Sequence, residues 1–460
     1  MRITRKQLLG SAIFAVAAAV AFVSASAQPL APTPPMGWNS WDAYGLAITE
    51  PAFRANVDVL ARELKPFGWT YAVIDEGWFL HNPQDRPTPE KLVYVLDENG
   101  RYIPDPSRFP SALKSGRNTG FEVIASAVHA RGLKFGIHIV RGIPRESVAR
   151  NLPVAGSAFH AQDVADTSDA CPWDPTNWGV KNNAAGQAWY DSLIAQYARW
   201  GVDYLKVDCI SDHPYKPAEI RMIHNAIAKS GRSIVLSLSP GPTALNRAAE
   251  VASMSQLWRI SDDVWDVWMT KGDWPRGIDE HFSVMPRWAP LARPGAWPDA
   301  DMLPFGYLGP TPGWGDPRQT QLTQAEQRSV MTLWAIGRSP LILGANLTRL
   351  DPFTRSLITN RAVIAVDQNS WESHAIEPLP AGFKHARVWA ASSGPRAKPV
   401  RYVAFFNVAD QPSQLSATWK QLGIAGAHSA VDLWSGTKLK PATSISVSLP
   451  AHGSAIYRVQ

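Results

Sequence analysis

The stretch "YLKVDCISD", residues 204–212, decides the fold of this chain and points to its functional site. Its apolar residues predict a buried strand, and side chains alternate between the two faces of a strand. Lys206 and Asp208 therefore share one face, while Cys209 lies on the other. A buried charge without a partner is costly, so both groups need compensation. A structural ion pair and a functional site both satisfy that requirement.

Composition narrows the class of protein. The chain has 460 residues and 45% hydrophobic content, which is enough for a large core and two or three domains. Its net charge of +6 without Lys/Arg blocks argues against a nucleic-acid partner. The two cysteines have no neighbouring histidine cluster, so we predict neither a metal nor a cofactor.

The N-terminus has the pattern of a signal peptide. Arg2, Arg5 and Lys6 precede the apolar run "LLGSAIFAVAAAVAFV", and "ASA" at 25–27 is a small-residue cleavage site. Removal of residues 1–27 would leave a net charge of 42 − 39 = +3. We expect a secreted or periplasmic protein without a membrane anchor after cleavage, and a retained anchor is the alternative. No later apolar run is long enough to span a bilayer.

Export makes the cysteine pair informative. Cys171 and Cys209 are the only two cysteines, and an oxidising compartment would allow them to join. Closing that loop would contribute roughly 4 kcal/mol in the chain-entropy model. Two free buried thiols are the alternative.

Strand-like runs alternate with amphipathic helical patterns over most of the chain. The predicted strands are "MGWNSW" from 36, "YAVIDEGW" from 71, "KFGIHIV" from 134, "VDYLKVD" from 202, "IVLSLSP" from 234, "LWRISDD" from 257, "AWPDADML" from 296 and "PLILGA" from 340. Eight such strands predict an α/β fold, a (β/α)8 TIM barrel over residues 28–372. A doubly wound open sheet is the runner-up, although no Gly-rich phosphate loop follows an early strand. Short alternating segments over 373–460 predict a C-terminal antiparallel β-sandwich.

Polar residues collect at the carboxyl ends of the predicted strands. They are Asp75, Glu76, His138, Arg141, Lys206, Asp208, Ser239, Arg259, Asp262, Asp263, Asp299 and Asp301. In a (β/α)8 barrel these ends meet on the face that carries the active site. Many carboxylates with an arginine, a lysine and tryptophans suit sugar hydrolysis, in which two carboxylates flank the scissile bond.

The same segments resemble a known family. "PPMGWNSW", "YAVIDEGW", "LKFGIHI", "GVDYLKVD", "LWRISDDVWDVW" and "GAWPDADML" are similar, in order, to the motifs of glycoside hydrolase family 27. That family contains melibiase-type α-galactosidases and α-N-acetylgalactosaminidases, and the tail resembles its C-terminal β-domain. The resemblance implies a retaining exo-glycosidase that acts on terminal α-linked galactose of an oligosaccharide or polysaccharide.

The resemblance also implies roles for single residues. Asp208 would be the nucleophile and Asp263 the acid/base, with carboxyl groups about 5–5.5 Å apart for retention. Asp262 is the rival acid/base, one residue out of register. The residues implied to bind the sugar are Asp75, Glu76, Lys206, Arg259 and Asp301.

Four departures from the family pattern leave the sugar open. Glu76 replaces the usual second Asp and adds one methylene at the end of the pocket that holds O4 and O6. Ser239 stands where galactosidases carry a Glu, and His138 stands where the family usually has Tyr. Cys209 directly follows Asp208, whereas the disulfide cysteine of the family commonly lies one residue later. His138 and Arg141 are candidates to replace the missing contact to the sugar 2-hydroxyl. Alternative substrates are an α-N-acetylgalactosaminide, a β-L-arabinopyranoside and an isomaltoside.

Several other residues allow two interpretations. Trp38 is a candidate sugar platform, and both it and Trp41 could equally belong to the core. Asp42, Asp203 and Asp266 are expected to be surface or capping residues. A catalytically silent carbohydrate-binding protein is the second function class, and the presence of both catalytic candidates favours the enzyme. The oligomeric state stays open.

Overall fold

The computed structural model describes residues 29–85, 88, 91–272, 274–309, 315–379, 383 and 385–460. The predicted signal peptide, residues 1–27, lies outside the described residues. Across the described ranges, no helix combines the length and the apolar character needed to cross a membrane.

Eight parallel strands form the catalytic domain. They are β1 Met36–Asn39, β2 Tyr71–Ile74, β3 Lys134–Val140, β4 Tyr204–Asp208, β5 Val235–Leu238, β6 Leu257–Arg259, β7 Trp297–Asp299 and β8 Leu341–Leu343. Strands β1 to β7 pair in chain order, and β8 pairs with β1. Leu303, just beyond β7, bridges Leu343 in parallel and closes the ring. The predicted (β/α)8 barrel is confirmed, and the open doubly wound sheet is wrong.

Helices cover the outside of this barrel, which explains why its strands read as continuous apolar runs. The α-helices span Trp41–Tyr44, Glu50–Val59, Glu122–Ala130, Arg145–Ala149, Ala161–Val164, Ala184–Trp200, Pro217–Ser230, Ala248–Met254, His281–Trp288, Gln324–Gly337, Pro352–Ile358 and Arg361–Asn369. Local sequence sets their ends. Asn183 caps the helix Ala184–Trp200 by accepting from the Gly186 N–H, and Gly201 ends it in a left-handed conformation with φ of 85°.

The second domain is an antiparallel β-sandwich, as predicted. Its strands are β9 Ser370–Ala375, β10 Ala386–Ser393, β11 Val400–Asn407, β12 Ser413–Thr418, β13 His428–Asp432, β14 Lys438–Ala442, β15 Ser444–Leu449 and β16 Ser454–Val459. One sheet has the order β9-β10-β11-β16-β13-β14, and β12 pairs with β15 in the other. Their facing side chains form a separate apolar core that includes Phe405, Leu415 and Val447. Strand β9 begins at Ser370, so it crosses the predicted domain boundary at 372/373.

A disulfide joins Cys171 to Cys209, with Cα atoms 5.9 Å apart. Cys171 follows the strand Ala165–Ala170 of a small three-stranded sheet that lies between β3 and β4 in the chain. Cys209 is the first residue after β4. The bond therefore fastens this excursion to the end of the strand that carries Asp208.

Candidate active site

Asp208 ends β4 with its carboxylate held from three sides. Oδ1 accepts the Cys209 N–H at 2.6 Å and the Ser239 hydroxyl at 3.4 Å. Oδ2 lies 3.5 Å from Nε2 of the buried His138. Burial by itself raises the pKa of Asp208, but His138, the Lys206 charge and the Cys209 N–H outweigh it and leave the pKa lowered. Asp208 is thus held as the anion that a nucleophile must be.

Lys206 makes its shortest ion pair with the end of β2. Its ammonium lies 3.0 Å from Oδ2 of Asp75. Asp75 also accepts the Asn39 amide at 2.6 Å and the Glu76 N–H at 2.9 Å. Burial opposes ionisation of both groups, yet their mutual attraction lowers the pKa of Asp75 and raises that of Lys206. Nearby Asp208 also raises the pKa of Lys206, so the ammonium stabilises two carboxylates.

Arg259 joins the ends of β6 and β7. Its guanidinium lies 2.8 Å from Oδ1 of Asp301 and 3.3 Å from Oδ1 of Asp263. The other Asp301 oxygen accepts the Val264 N–H at 2.8 Å. Burial raises the pKa of Asp301 to about 7, against the attraction of Arg259 and with added repulsion from Asp263. Asp301 thus fixes the backbone immediately after Asp263.

The two candidate acid/base residues have different surroundings. Asp263 has a side chain 42% exposed and contacts Arg259. Asp262 is 22% exposed and lies 3.7 Å from His213 and 3.8 Å from Arg276. Burial raises the pKa of Asp262, although His213 and Arg259 partly offset it. Asp262 is the more buried of the two, whereas Asp263 has the position that the family motif implies.

A cavity of about 330 Å³ opens at these groups. Its walls are Trp173, Asp208, His213, Pro240, Asp262, Asp263 and Trp274. Both predicted catalytic residues therefore face one space, although Asp208 ends β4 and Asp263 follows β6. Among the described residues, no group of three His, Cys, Asp or Glu side chains is arranged to hold a metal ion.

Two predicted sugar contacts need correction. Trp38 is fully buried, donates its indole N–H to the Ala345 carbonyl at 2.7 Å and packs on Phe53. It is a core residue and not a sugar platform. Arg141 is 2% exposed and donates to the Cys209 carbonyl, Asp169 and Glu219, so it is not available to a sugar hydroxyl.

Two aspartates expected to be surface or capping residues are buried. Asp266 is fully buried and pairs with Arg318, which lies 52 residues further along the chain. Asp42 is 2% exposed, and its carboxyl group packs so closely on Gly344 that a Cβ there would overlap it. Burial, with repulsion from Asp301, raises the pKa of Asp42 well above its ordinary value. Asp203 does lie partly exposed at the opposite end of β4, paired with Arg232 and His129.

The sequence interpretation missed Asn39 and Asp42 as members of the charged cluster. Asn39 ends β1 and Asp42 follows it in "GWNSWD". The recognised acids have the same position relative to their strands. The rule that strand ends converge could have found them. They were missed because an apolar, Trp-rich segment reads as core.

The chain matches family models over both domains. Residues 180–369 match the model described as alpha galactosidase A, and residues 384–459 match the alpha galactosidase C-terminal beta sandwich domain. Alpha-galactosidase A of Cellvibrio japonicus is 28% identical, covering 99% of each chain. The rice alpha-galactosidase is 28% identical and covers 92% of this chain and 84% of its own.

A solved structure is more similar still. The GH27 β-L-arabinopyranosidase of Geobacillus stearothermophilus is 39% identical with a TM-score of 0.86, covering 94% of this chain and 97% of its own. The barrel, the paired carboxyls at its mouth and these matches define the protein as a glycoside hydrolase. The chain belongs to glycoside hydrolase family 27.

The geometry at Asp208 predicts a pH effect. Replacing His138 by Gln removes a contact that lowers the pKa of Asp208, so that pKa should rise. Because the nucleophile must be deprotonated, the acid limb of the kcat/KM profile should move to higher pH. The profile measured from pH 3 to pH 8 checks this, and an unmoved acid limb would contradict the role of His138.

The rival acids can be separated with a matched pair of variants, Asp263→Asn and Asp262→Asn. The acid/base variant should lose roughly 10²-fold or more on a glycoside with a poor leaving group and much less on a dinitrophenyl glycoside. We expect this signature for Asp263 alone. If Asp262 alone shows this signature, the alignment of this chain with the family motif is wrong by one residue at this position.

Proposed function

We propose that this protein is an exported, retaining exo-glycosidase that removes terminal β-L-arabinopyranosyl units. Asp208 attacks the anomeric carbon, and Asp263 protonates the leaving oxygen and then deprotonates water. Export is supported by the disulfide between the only two cysteines. The N-terminal sequence of the mature protein checks this, and we expect it to begin at Gln28. Terminal α-galactose, implied by the family resemblance, becomes the second candidate.

Glu76 is the observation that carries the choice of sugar. β-L-Arabinopyranose has the ring configuration of α-D-galactopyranose but lacks the exocyclic hydroxymethyl group. Glu76 directly follows Asp75 at the carboxyl end of β2 and is 7% exposed. The family resemblance implies that its extra methylene, relative to the usual Asp, would occupy the end of the pocket where that hydroxymethyl group would lie. We infer that a pentose suits this end of the pocket better than galactose does.

Similarity supports the same choice. The 39% identical structure is described as a β-L-arabinopyranosidase, and a variant of that enzyme has been solved in complex with arabinose. The curated α-galactosidases are less similar, at 28% identity or below. The chicken α-N-acetylgalactosaminidase is 26% identical, and a solved structure described as a putative α-N-acetylgalactosaminidase of Bacillus halodurans is 35% identical.

The 2-position of the sugar lies near the nucleophile in this proposal. Ser239 turns its hydroxyl towards Asp208, and His138 also faces Asp208. Both side chains therefore face Asp208. Neither directly replaces the carboxylate that galactosidases place at the 2-hydroxyl. We infer a relaxed 2-position, as the sequence implied.

Substituting Glu76 tests the proposal. The wild-type protein should hydrolyse an aryl β-L-arabinopyranoside with a higher kcat/KM than the matching α-galactoside. Glu76→Asp should lower that ratio by about 10-fold or more, because one methylene in a pocket is worth roughly 10–200-fold.

The matched control is Glu76→Gln. It keeps the side-chain length, so both rates should fall while their ratio stays close to that of the wild type. A wild-type preference for the α-galactoside would overturn the proposed sugar, and an unchanged ratio in Glu76→Asp would remove Glu76 from the explanation.

A further inference from the structure

A turn of the C-terminal sandwich contacts the barrel. His452 lies in this turn, between β15 and β16, and has a left-handed backbone with φ of 55°. Its N–H donates to the Ala409 carbonyl at 3.3 Å, which holds the turn in its own domain. Its carbonyl accepts the hydroxyl of Ser329, on the barrel helix Gln324–Gly337, at 2.6 Å. The backbone of His452 is therefore fastened to both domains.

The His452 side chain makes three contacts. Nδ1 lies 2.7 Å from Oε1 of Glu326, in the first turn of the same barrel helix, and Nε2 lies 2.9 Å from Oδ1 of Asp410. The imidazole stacks on the indole of Trp268, with ring centroids 4.2 Å apart and planes 14° apart. The His452 side chain is 15% exposed. Because one small ring makes all three contacts, its position constrains that of the indole.

Trp268 belongs to the segment that carries the proposed acid/base. It lies five residues after Asp263, beyond the end of β6. A second stretch of chain runs beside this segment: the Asp263 carbonyl accepts the Arg276 N–H at 3.0 Å, and the Trp268 carbonyl accepts the Asp279 N–H at 2.9 Å. Trp268 is 8% exposed. Asp263 and the indole under His452 thus lie at the two ends of one hydrogen-bonded segment.

The Asp263 carboxyl group depends on this segment for its place, because its side chain is 42% exposed and few neighbours fix its direction. Proton donation needs hydrogen-bond distance to the leaving oxygen, and a misplacement of about 1 Å can cost a reaction about 10²-fold. Phe282 also packs on Trp268, with ring centroids 6.0 Å apart, and on Phe406 of β11, at 5.2 Å. Loss of the His452 ring should therefore loosen the segment without unfolding it.

We propose that His452 is a positioning residue for Asp263, and that the C-terminal sandwich holds the acid/base segment through the stack of His452 on Trp268. This inference rests on the proposed role of Asp263 but not on the identity of the terminal sugar. It gives the second domain a part in the reaction, because proton donation then depends on a contact between the domains. Attack by Asp208 does not depend on that contact, since Asp208 lies on β4.

The test separates proton donation from the other steps by the choice of leaving group. His452→Ala should lower kcat/KM by about 10-fold on a glycoside with a poor leaving group, through kcat and with KM within about twofold. On the dinitrophenyl glycoside of the same sugar, whose departure needs little protonation, kcat/KM should stay within about twofold.

Two conservative variants show which contact carries the effect. His452→Phe keeps an aromatic face on Trp268 and should recover most of the loss. His452→Gln keeps a donor for Glu326 but not the ring, and should behave as His452→Ala does. Rescue by His452→Gln and not by His452→Phe would contradict the stack as the positioning contact.

The Asp263→Asn background gives an independent readout. His452→Ala should cost nothing further there on the glycoside with the poor leaving group, because no proton donor remains to be placed. His428→Ala is the matched control in the wild-type background. The His428 ring centroid lies 6.1 Å from that of Trp419, and its ring nitrogens contact two carbonyl oxygens of the same domain. This control should match the wild type on both glycosides.

Melting curves first establish that each variant is folded at the assay temperature, and if His452→Ala is not, the pair His452→Phe and His452→Gln decides. Equal losses on both glycosides, no loss on either, or a further loss of about 10-fold in the Asp263→Asn background would overturn the positioning role. The acid/base assignment fails separately, if Asp263→Asn does not distinguish the two glycosides while His452→Ala still does.

Discussion

Burying many carboxyl groups at one end of the barrel is the constraint on which the rest of the site depends. Lys206 pairs with Asp75 and lies near Asp208. Arg259 pairs with Asp301 and Asp263. The buried carboxyl groups concerned are those of Asp42, Asp75, Asp208, Asp299 and Asp301, and the carboxyl group of the more exposed Asp263 lies beside them. Within this described cluster, Lys206 and Arg259 are fewer than the carboxyl groups around them. The buried carboxyl groups therefore divide into those with lowered and those with raised pKa values. Asp75 and Asp208 have lowered pKa values, whereas burial raises the pKa values of Asp42, Asp299 and Asp301.

This division suits the proposed retaining mechanism. A retaining glycosidase needs one carboxylate that stays ionised and one carboxyl group that can hold a proton. Lys206, His138 and the Cys209 N–H lie on the Asp208 side of the pocket. The excess of negative charge lies on the side of Asp262, Asp263 and Asp301. Removing one partner of a buried pair such as Arg259–Asp301 would cost about 3–5 kcal/mol, because the other charge would stay buried without compensation.

Sequence reasoning predicted the barrel, the sandwich and most of the charged cluster. It succeeded because strand alternation places Lys206 and Asp208 on one face and because parallel strand ends converge. It failed where the deciding partner is distant in the chain. Asp266 is buried by Arg318, and Asp42 by the close approach of Gly344 across the barrel closure. No local pattern shows either contact, and the core position of Trp38 depends likewise on Ala345.

Covalent trapping of the nucleophile tests the central claim most directly. The protein would be incubated with the 2-deoxy-2-fluoro glycosyl fluoride of the sugar that it cleaves, and the labelled peptide would be identified by mass spectrometry. The account predicts a single glycosyl adduct on Asp208, within the segment "VDYLKVD". An adduct on Asp262, Asp263 or Asp75 would contradict it, as would turnover without an adduct and with inversion at the anomeric carbon.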